Sequence, residues 1–320
     1  MAEQFSAGAA TVPVELAAKL EGLERQRKQA LGICGAALGA FVLLLLGILA
    51  GLVDMGASIV TIELHLWLAL GLAAGTIEHT RRTKATLLDG TAYREAVAEH
   101  VAAKANQPTK HEPGASVQKS LLVRSKLAPH KPEHLECVTV LKRGAARAFA
   151  VRLVKGAGRE REVRAEGIFV VVDVPHIEGS LVWTPLSATP QDRETAEEGE
   201  TKKPDTLLKT VKLKDEWFTT NHKLFASNKE AAARVSNTMV RAQMLALSEQ
   251  HANRLGVAFV GNKGFAYLPT QKGLLDTEWR DALDDPARLQ RHVTAYRTML
   301  SLLDGLLPIM RNGDVQAPVS

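Results

Sequence analysis

A run of 24 residues without a charged side chain, from Ala30 to Val53, constrains this chain more than any other feature. A helix of about 20 apolar residues is long enough to span the hydrocarbon core of a bilayer. The run lacks the polar face that a core helix of a soluble protein shows. It is also longer than the roughly 7–15 apolar residues of a signal peptide. We therefore predict that residues 30–53 cross a membrane.

A second apolar segment follows at once, but it carries Glu63 and His65. Its uncharged part is too short to cross a bilayer alone. If the helix covers residues 59–79, both polar residues lie within about two turns of its outer end, where they can reach the headgroups. A proton or ion path through them is the alternative. The sequence predicts a transmembrane hairpin over residues 30–80 that turns at Asp54 to Ser58.

Basic residues flank both predicted spans, whereas the turn between them has only Asp54. Lys and Arg stay on the cytoplasmic side of a membrane, so both termini are predicted to be cytoplasmic. Two cysteines, Cys34 and Cys137, cannot form a disulfide framework, which agrees with that location. The basic residues that set this topology are Arg25, Arg27 and Lys28 before the first span, and Arg81, Arg82 and Lys84 after the second.

The rest of the chain mixes helical and strand patterns without regular βαβ alternation, so the predicted fold class is α+β. Residues 187–206 contain no large apolar side chain and are predicted to be a disordered loop. The predicted organisation is an N-terminal cytoplasmic helix over 1–29, the membrane hairpin, a juxtamembrane helix within 81–109, a cytoplasmic α+β domain over 110–308 and a C-terminal tail over 309–320.

Three segments of this domain have the β-branched content of strands: "CVTVLKR", "AFAVRLVK" and "REVRAEGIFVVVDVP". A further strand is predicted at "LLKTVKLKDEWF", and "VAFVGNKGFAYLP" predicts a hairpin that turns at "GNKG". Residues 227–256 predict one helix, with Ser227 and Glu230 as a capping box and Gly256 as its left-handed stop. The last helix is predicted to begin at Asp285 and Pro286 and to close at Pro308.

The basic excess is concentrated after the membrane exit, where residues 81–164 hold 18 basic and 8 acidic side chains, a net +10. Anionic lipid of the cytoplasmic leaflet attracts Lys and Arg by about 1 kcal/mol each. Anionic headgroups are therefore a candidate partner. Nucleic acid would use the same potential, but an aromatic content of 5% disfavours a stacking surface.

Small residues repeat one helical turn apart in both spans. Such G-x-x-x-G pairs let lipid-embedded helices approach closely. We expect a packing role, either between the two spans or between subunits of a homo-oligomer; the simpler alternative is that glycine is common in such helices. The pairs are Gly35 with Gly39, Gly47 with Gly51, and Gly71 with Gly75.

Two groups of residues are candidates for chemistry. His130, His134 and Cys137 have zinc-binding donor atoms, although the spacing matches no specific motif and solvated histidines in a loop are the simpler interpretation. Asp173 ends the strand "FVVV" close to His176, which is a position where catalytic carboxylates occur. A carboxylate that merely ends a strand is commoner. No nucleotide-binding, zinc-protease or hydrolase motif is present, and no cofactor is predicted.

The phrase F-x-x-x-x-x-L-F-A-S-N over Phe218 to Asn228, followed by the predicted helix and hairpin, resembles a bacterial membrane-protein family. That family is known only as a domain of unknown function, sometimes labelled galanin-like, and the resemblance covers about residues 80–305. It implies a bacterial inner-membrane protein with a cytoplasmic α+β domain and a LemA-type membrane protein as a partner. No catalytic residues follow from it.

These features favour a membrane-anchored, non-enzymatic module that binds a protein partner or lipid headgroups. Anchoring raises the effective concentration near other membrane components, so a weak contact would suffice. The alternative is a membrane-bound enzyme or metal-binding protein that uses Asp173 and His176 or the cluster of His130, His134 and Cys137.

Overall fold

The protein divides into two compact units in a computed structural model. The first comprises Met1–Val97 and Asp276–His292, and the second comprises Ala98–Leu275 and Val293–Ser320. The predicted turn at 54–58 and the predicted loop at 187–206 lie outside the residues that the structure describes. Those residues are 14–53, 59–83, 91–105, 107–129, 133–156, 160–186, 208–211, 221–233, 238–271, 282 and 285–312.

The first unit contains two long helices that pack against each other. Helix α1 spans Val14–Val53 and helix α2 spans Ile59–Thr83. At about 1.5 Å per residue, α1 is roughly 60 Å long, which is about twice the thickness of a hydrocarbon core. One segment among the described residues, Val14–Ala50, is long and apolar enough to cross a membrane. The predicted long apolar helix is confirmed, and the second crossing stays a prediction.

The second unit is organised around a seven-stranded antiparallel sheet, which confirms the α+β class. The strand order is β1-β2-β3-β4-β6-β5. Strand β7 lies on the other edge of β4, because β3 and β7 both pair with the same β4 residues, from 166 to 171. The strands are β1 Lys110–His111, β2 His134–Arg143, β3 Ala146–Lys155, β4 Glu162–Pro185, β5 Lys209–Thr210, β6 His222–Ala226 and β7 Gly256–Thr270.

Five further helices complete the described structure. Helix α3 (Thr91–Ala103) confirms that residues 81–109 contain a helix, and its location beside a membrane stays a prediction. The others are α4 Lys119–Ser125, α5 Lys229–Ala233, α6 Thr238–Gln250 and α7 Pro286–Asn312.

The sheet buries apolar side chains on both faces, as the β-branched sequences of its strands predict. Phe149, Val151, Phe169 and Val171 belong to a core that includes Leu122 of α4. Residues of opposite parity in the same strands, such as Ala150, Ile168 and Val170, are buried as well and face the other side. Each large apolar side chain buried in this way contributes about 1.5–3 kcal/mol. Stacking of Phe169 on Phe265 across the β4–β7 pair, with centroids 5.8 Å apart, adds to the first face.

The hairpin predicted for "VAFVGNKGFAYLP" is wrong. Strand β7 is continuous over 15 residues, and it pairs with β4 from Trp183↔Val257 to Glu166↔Thr270. Gly261 does adopt a left-handed conformation (φ 61°), as a turn residue would. Gly261 instead forms part of a bulge in a long pair of strands, because pairing with β4 continues on both sides of it.

The stop predicted at Gly256 for the helix over 227–256 is also wrong. The described structure has α5 and α6 in this range, with residues 234–237 outside the description. Helix α6 ends at Gln250, and Ala252 and Asn253 carry the left-handed conformation, whereas Gly256 opens β7. Asn and Ala can supply the stop because left-handed backbone at a helix end costs only about 1–2 kcal/mol per residue.

The predicted capping box at Ser227 and Glu230 does not form. Ser227 and Asn228 instead form hydrogen bonds with Ser180 of β4 and Ala231 of α5, and we call this arrangement the clasp. Asn228 caps α5, since its Oδ1 accepts a hydrogen bond from the backbone N–H of Ala231 (2.8 Å). The Ser227 Oγ accepts instead from the N–H of Ser180 in β4 (2.8 Å), and the N–H of Ser227 donates to the Ser180 carbonyl (2.9 Å). The phrase "LFASN" therefore joins its own helix to the central strand.

The final helix begins as predicted and ends later than predicted. Asp285 Oδ1 accepts from the N–H of Ala287 (3.0 Å), which confirms it as the cap. Pro308 lies inside α7 and does not close it. Asp304 of this helix forms an ion pair with Arg143 of β2, whose Nε also donates to Thr109 Oγ1 (3.0 Å). Arg143 is only 5% exposed, so Asp304 neutralises a buried charge.

Adding a methyl group at Gly179 should weaken the clasp. Gly179 has φ 87°, and a Cβ there would lie 2.7 Å from Nδ2 of Asn228 and closer still to Oγ of Ser227. Strain and overlap together predict that Gly179→Ala lowers the free energy of unfolding by about 2–4 kcal/mol. Gly114→Ala is the matched control, because Gly114 has φ 71° and open space around it. Thermal unfolding of both variants should show the larger loss for Gly179→Ala; equal losses would contradict the clasp.

Removing the charge of Asp304 should leave the Arg143 guanidinium buried without its counter-ion. Because Asp304 itself is half exposed, we expect Asp304→Asn to cost about 1–3 kcal/mol rather than the full penalty of a buried pair. Glu249→Gln, an equivalent change at an exposed position of α6, should cost less than about 0.5 kcal/mol. Denaturant titrations at pH 7 compare the two, and similar midpoints would rule out the proposed role of the ion pair.

Candidate functional site

The predicted residues Asp173 and His176 lie where the β4–β7 ladder is interrupted. Pairing runs from Asp173↔Lys263 through Ile177↔Gly261 to Ser180↔Val260. Strand β4 advances seven positions there while β7 advances three, so β4 has four extra residues. Bulges of this kind redirect side chains and are frequent beside active sites. We call residues 173–180 with 260–263 the β4–β7 bulge.

The β4–β7 bulge presents mainly polar groups to solvent. Asp173 forms an ion pair with Lys263, and both remain partly exposed. His176 and Glu178 are exposed as well. The structure thus brings Asp173 and His176 to one surface feature, and the partner that it gives Asp173 is a lysine. A carboxylate held by an ammonium group in open solvent is typical of a surface ion pair, whereas catalytic sites are usually concave.

Arg124 of α4 lies beside the same bulge. A Cβ built on Gly261 would lie 2.8 Å from the Nη2 of Arg124, so the guanidinium passes directly over this glycine. Any side chain at position 261 would displace Arg124 as well as strain a backbone with φ 61°. Basic and acidic groups alternate here, which gives a mixed-charge surface.

The predicted metal ligands His134 and Cys137 are separated by the strand that carries them. Pairing of β2 with β3 is regular from His134↔Val154 to Cys137↔Val151, so residues three apart face opposite sides of the sheet. His134 is exposed, while Cys137 packs against the core. His130 lies outside the described residues. Across the described ranges, no three His, Cys, Asp or Glu side chains are grouped so that they could hold a metal ion.

The Cys137 thiol is a poor ligand in this environment. Burial raises the pKa of Cys137 to about 11, and its Sγ lies 3.6 Å from the Thr139 carbonyl oxygen. Metals bind the thiolate rather than the thiol, so a raised pKa opposes coordination at neutral pH. The environment of Cys137 is that of an ordinary core cysteine.

Gly35, Gly39, Gly71 and Gly75 lie away from the contact between α1 and α2. Half-buried positions recur every three or four residues along α1 and mark the side that packs, whereas Gly35 and Gly39 are exposed. A Cβ at Gly35, Gly39, Gly71 or Gly75 would meet nothing within 4 Å. Gly47 is exposed, and the surroundings of Gly51 lie outside the description. The half-buried positions of α1 are Leu31, Cys34, Ala37, Phe41, Leu44 and Ile48.

The basic residues before the first span are paired with glutamates of the same helix. Arg27 and Glu24 are both buried and form two contacts of 3.0 Å, from Nε and from Nη2. Lys28 also reaches Glu24, at 3.6 Å, and Arg25 reaches Glu21 at the same distance. This flank is therefore less positive than a count of Lys and Arg suggests. The side chains of Arg81, Arg82 and Lys84 lie outside the description, and the topology stays a prediction.

A buried histidine–serine pair was not predicted from the sequence. His222 Nε2 lies 2.8 Å from Ser248 Oγ, and the imidazole packs on Trp183 with ring centroids 4.7 Å apart. The partners are 26 positions apart, on β6 and α6, and no local pattern links them. Serine beside histidine suggests a nucleophile and its base, but His222 is 2% exposed and Ser248 is fully buried. A substrate cannot reach this hydroxyl, so the pair joins the sheet to α6.

A small cavity in the second unit lies beside an ion pair. Its volume is about 10 Å³, enough for a single water molecule. Arg152 and Glu166 line it and are joined at 2.9 Å, and Met299 of α7 also lines it. A cavity of this size binds no organic substrate.

Comparison with known proteins supports part of the resemblance. A DUF3137 domain, described as a protein of unknown function, covers residues 165–307. This range begins within β4 and ends within α7, so the match to an uncharacterised family is confirmed over a narrower region than residues 80–305. The number of membrane spans and the LemA-type partner stay predictions.

No curated protein matches this sequence. Among solved structures, the crystal structure of the mycobacterial trehalose monomycolate transport factor A, TtfA, is similar at 8% identity and a TM-score of 0.32. The similarity covers 67% of this chain and 94% of that chain. A similarity at this level establishes neither a shared fold nor a shared function.

Two buried histidines should make folding sensitive to acid. Burial lowers the pKa of His222 to about 4, and burial together with neighbouring arginines lowers that of His292 to about 3. An unfolded histidine titrates near 6.5, so the unfolded chain takes up protons that the folded chain refuses. Stability present above pH 6.5 should therefore be lost as the pH falls towards 4, by up to about 1.4 kcal/mol per pH unit for each histidine.

The variants His222→Gln and His292→Gln test this pH dependence. Unfolding at pH 8 measures the direct cost of each substitution, since both imidazoles are neutral there. Between pH 6 and 4.5 each variant should lose stability less steeply than the parent chain. Parallel stability curves for the parent and both variants would show that these histidines do not bring about the acid sensitivity.

Proposed function

We propose that this chain is a membrane-anchored protein whose α1 and α2 form the anchor and whose sheet domain is a non-enzymatic interaction module in the cytoplasm. The observation that supports it best is the exposure of large apolar side chains on both helices. Leu43 is 69% exposed and Trp67 is 71% exposed. Among the described residues of these helices, the other exposed large apolar side chains are Val14, Ile33, Leu38, Val42, Leu45, Leu46 and Leu49 on α1 and Leu66, Leu68, Leu70 and Ile77 on α2.

Lipid is the solvent that suits these surfaces. Soluble proteins rarely expose contiguous apolar patches of more than a few hundred Å². Each large apolar side chain left in water forgoes about 1.5–3 kcal/mol, so the combined penalty over both helices exceeds the usual stability of a domain. Immersion of the helices in a bilayer removes that penalty.

The sheet domain supports binding better than catalysis. Its polar candidates, Asp173 and His176, project from the β4–β7 bulge, and its serine–histidine pair is buried. The cavity described above holds about one water molecule. Anionic headgroups, a second copy of this chain and, by resemblance, a LemA-type membrane protein are the partners that we propose.

A membrane-bound enzyme using Asp173 and His176 is the alternative. It is favoured by one observation, the location of both residues at a bulge within the central strand pair. Recovery of a small molecule with the purified chain, lost in Asp173→Asn, would support this alternative over the interaction module.

The anchor and its orientation can be tested in cells. Alkaline carbonate should leave the intact chain in the membrane pellet, because helices in hydrocarbon are not released by charge neutralisation. In a background of Cys34→Ala and Cys137→Ala, a membrane-impermeant maleimide should label Gly56→Cys in whole cells. It should label Asn262→Cys only after permeabilisation.

The two labelling sites control for each other, since one lies in the predicted outer turn and the other in the exposed β4–β7 bulge. Release of the chain by carbonate would overturn the anchor. Labelling of Asn262→Cys in whole cells would overturn the cytoplasmic orientation.

A further inference from the structure

Basic side chains of α3 and α7 are concentrated at one place in the first unit. Arg288, Arg291 and His292 are spaced i, i+3 and i+4, so they share one side of α7. Tyr93 of α3 packs edge-on against His292 with ring centroids 5.3 Å apart, and Arg94 follows Tyr93. Two segments that are almost 200 positions apart thus contribute to one basic cluster.

Arginines from both helices affect the pKa of the same imidazole, that of His292. Besides burial, positive charges on Arg288, Arg94 and Arg291 all lower the pKa of His292. Within the part of the chain that the structure describes, the charged side chains that lower this pKa are therefore all cationic. A site with this potential favours an anion.

The cluster has a buried floor and an accessible rim. His292 is 1% exposed and Arg288 is 3% exposed, whereas Arg94 is half-buried and Arg291 is exposed. The Nδ1 atom of His292 has no hydrogen-bond partner among the described residues. A buried polar atom in that condition costs about 1–3 kcal/mol, which a bound ligand would recover.

The N-terminus of α7 is not the feature that would attract an anion to this cluster. Asp285 already caps the helix and brings its own negative charge to the first turn. Thr91 at the start of α3 accepts a hydrogen bond from Nη2 of Arg94 (3.3 Å). Any affinity for an anion must therefore come from the basic side chains rather than from the helix dipoles.

We infer that Arg94, Arg288, Arg291 and His292 form a binding site for a phosphate group. Guanidinium groups bind phosphate oxygens through paired hydrogen bonds, and arginine suits this geometry better than lysine does. The neutral imidazole can donate from Nδ1 to a third oxygen. The phosphate belongs either to an anionic lipid headgroup or to a free phosphate compound.

The lipid source rests on the proposed membrane anchor. Helix α3 begins eight positions after α2 ends at Thr83, and eight extended residues span at most about 28 Å. If α2 leaves the membrane near its C-terminal end, Thr91 cannot lie farther than that from the headgroups. Free phosphate needs no such proximity and is independent of the anchor.

Binding can be measured on the full chain in a neutral detergent. The probes are inorganic phosphate and a short-chain phosphatidylglycerol, with short-chain phosphatidylcholine as the lipid of no net charge. We expect one of the two anionic probes to bind with an affinity that falls roughly tenfold or more in Arg94→Gln/Arg291→Gln, because two charge-assisted contacts are lost. Only rim residues are changed, so the buried floor stays intact.

The matched control is Arg254→Gln/Arg297→Gln, which removes the same charge from exposed arginines outside the cluster. This control should bind like the parent chain. Binding of phosphatidylglycerol alone assigns the site to lipid, and binding of inorganic phosphate assigns it to a free phosphate compound. Absence of binding for both anionic probes, or equal losses in the two double variants, overturns the site. Carbonate extraction of the same variants tests the anchor separately, because both should remain in the pellet whether or not phosphate binds.

Discussion

The structure of the sheet domain depends on one strand that is hydrogen-bonded along both edges. Strand β4 pairs with β3 and then β6 on one side and with β7 on the other. Its 24 residues place Phe169 in one part of the core and Trp183 in another. Helix α4 packs on a face that exists only because this strand holds the others in register. The clasp, in which Ser227 Oγ accepts from the N–H of Ser180 and Asn228 Nδ2 donates to the Glu178 carbonyl, fixes the point where β6 joins it.

Features encoded by neighbouring residues could be predicted from the sequence. The apolar run of α1 requires no partner to be recognised, and the β-branched segments around Val140, Val151 and Val170 identify three strands. Asp285 before Pro286 predicts a helix start because the cap acts within one turn. The mixed class of helices and antiparallel strands follows from these local signals.

Features that depend on distant partners could not be predicted. The letters "GNKG" are typical of a turn, but thirteen paired positions with β4 outweigh that local preference. Ser227 and Asn228 are equally good caps in isolation, and the choice is made by Gly179 and Ser180 nearly 50 residues earlier. His222 meets Ser248, and Tyr93 meets His292, only through the fold. Charge counts likewise overstate the basic flank, since Arg27 is neutralised by Glu24.

The surplus of four residues in β4 has a consequence for how this chain can vary. A strand pair normally tolerates no change of length, because one residue more or less turns every following side chain to the opposite face. Here the excess is confined between Asp173 and Ser180, with intact pairing before and after it. Relatives could therefore lengthen or shorten this stretch by pairs of residues while Phe169 and Trp183 keep their places, so diversity should accumulate at this rim and spare the interior.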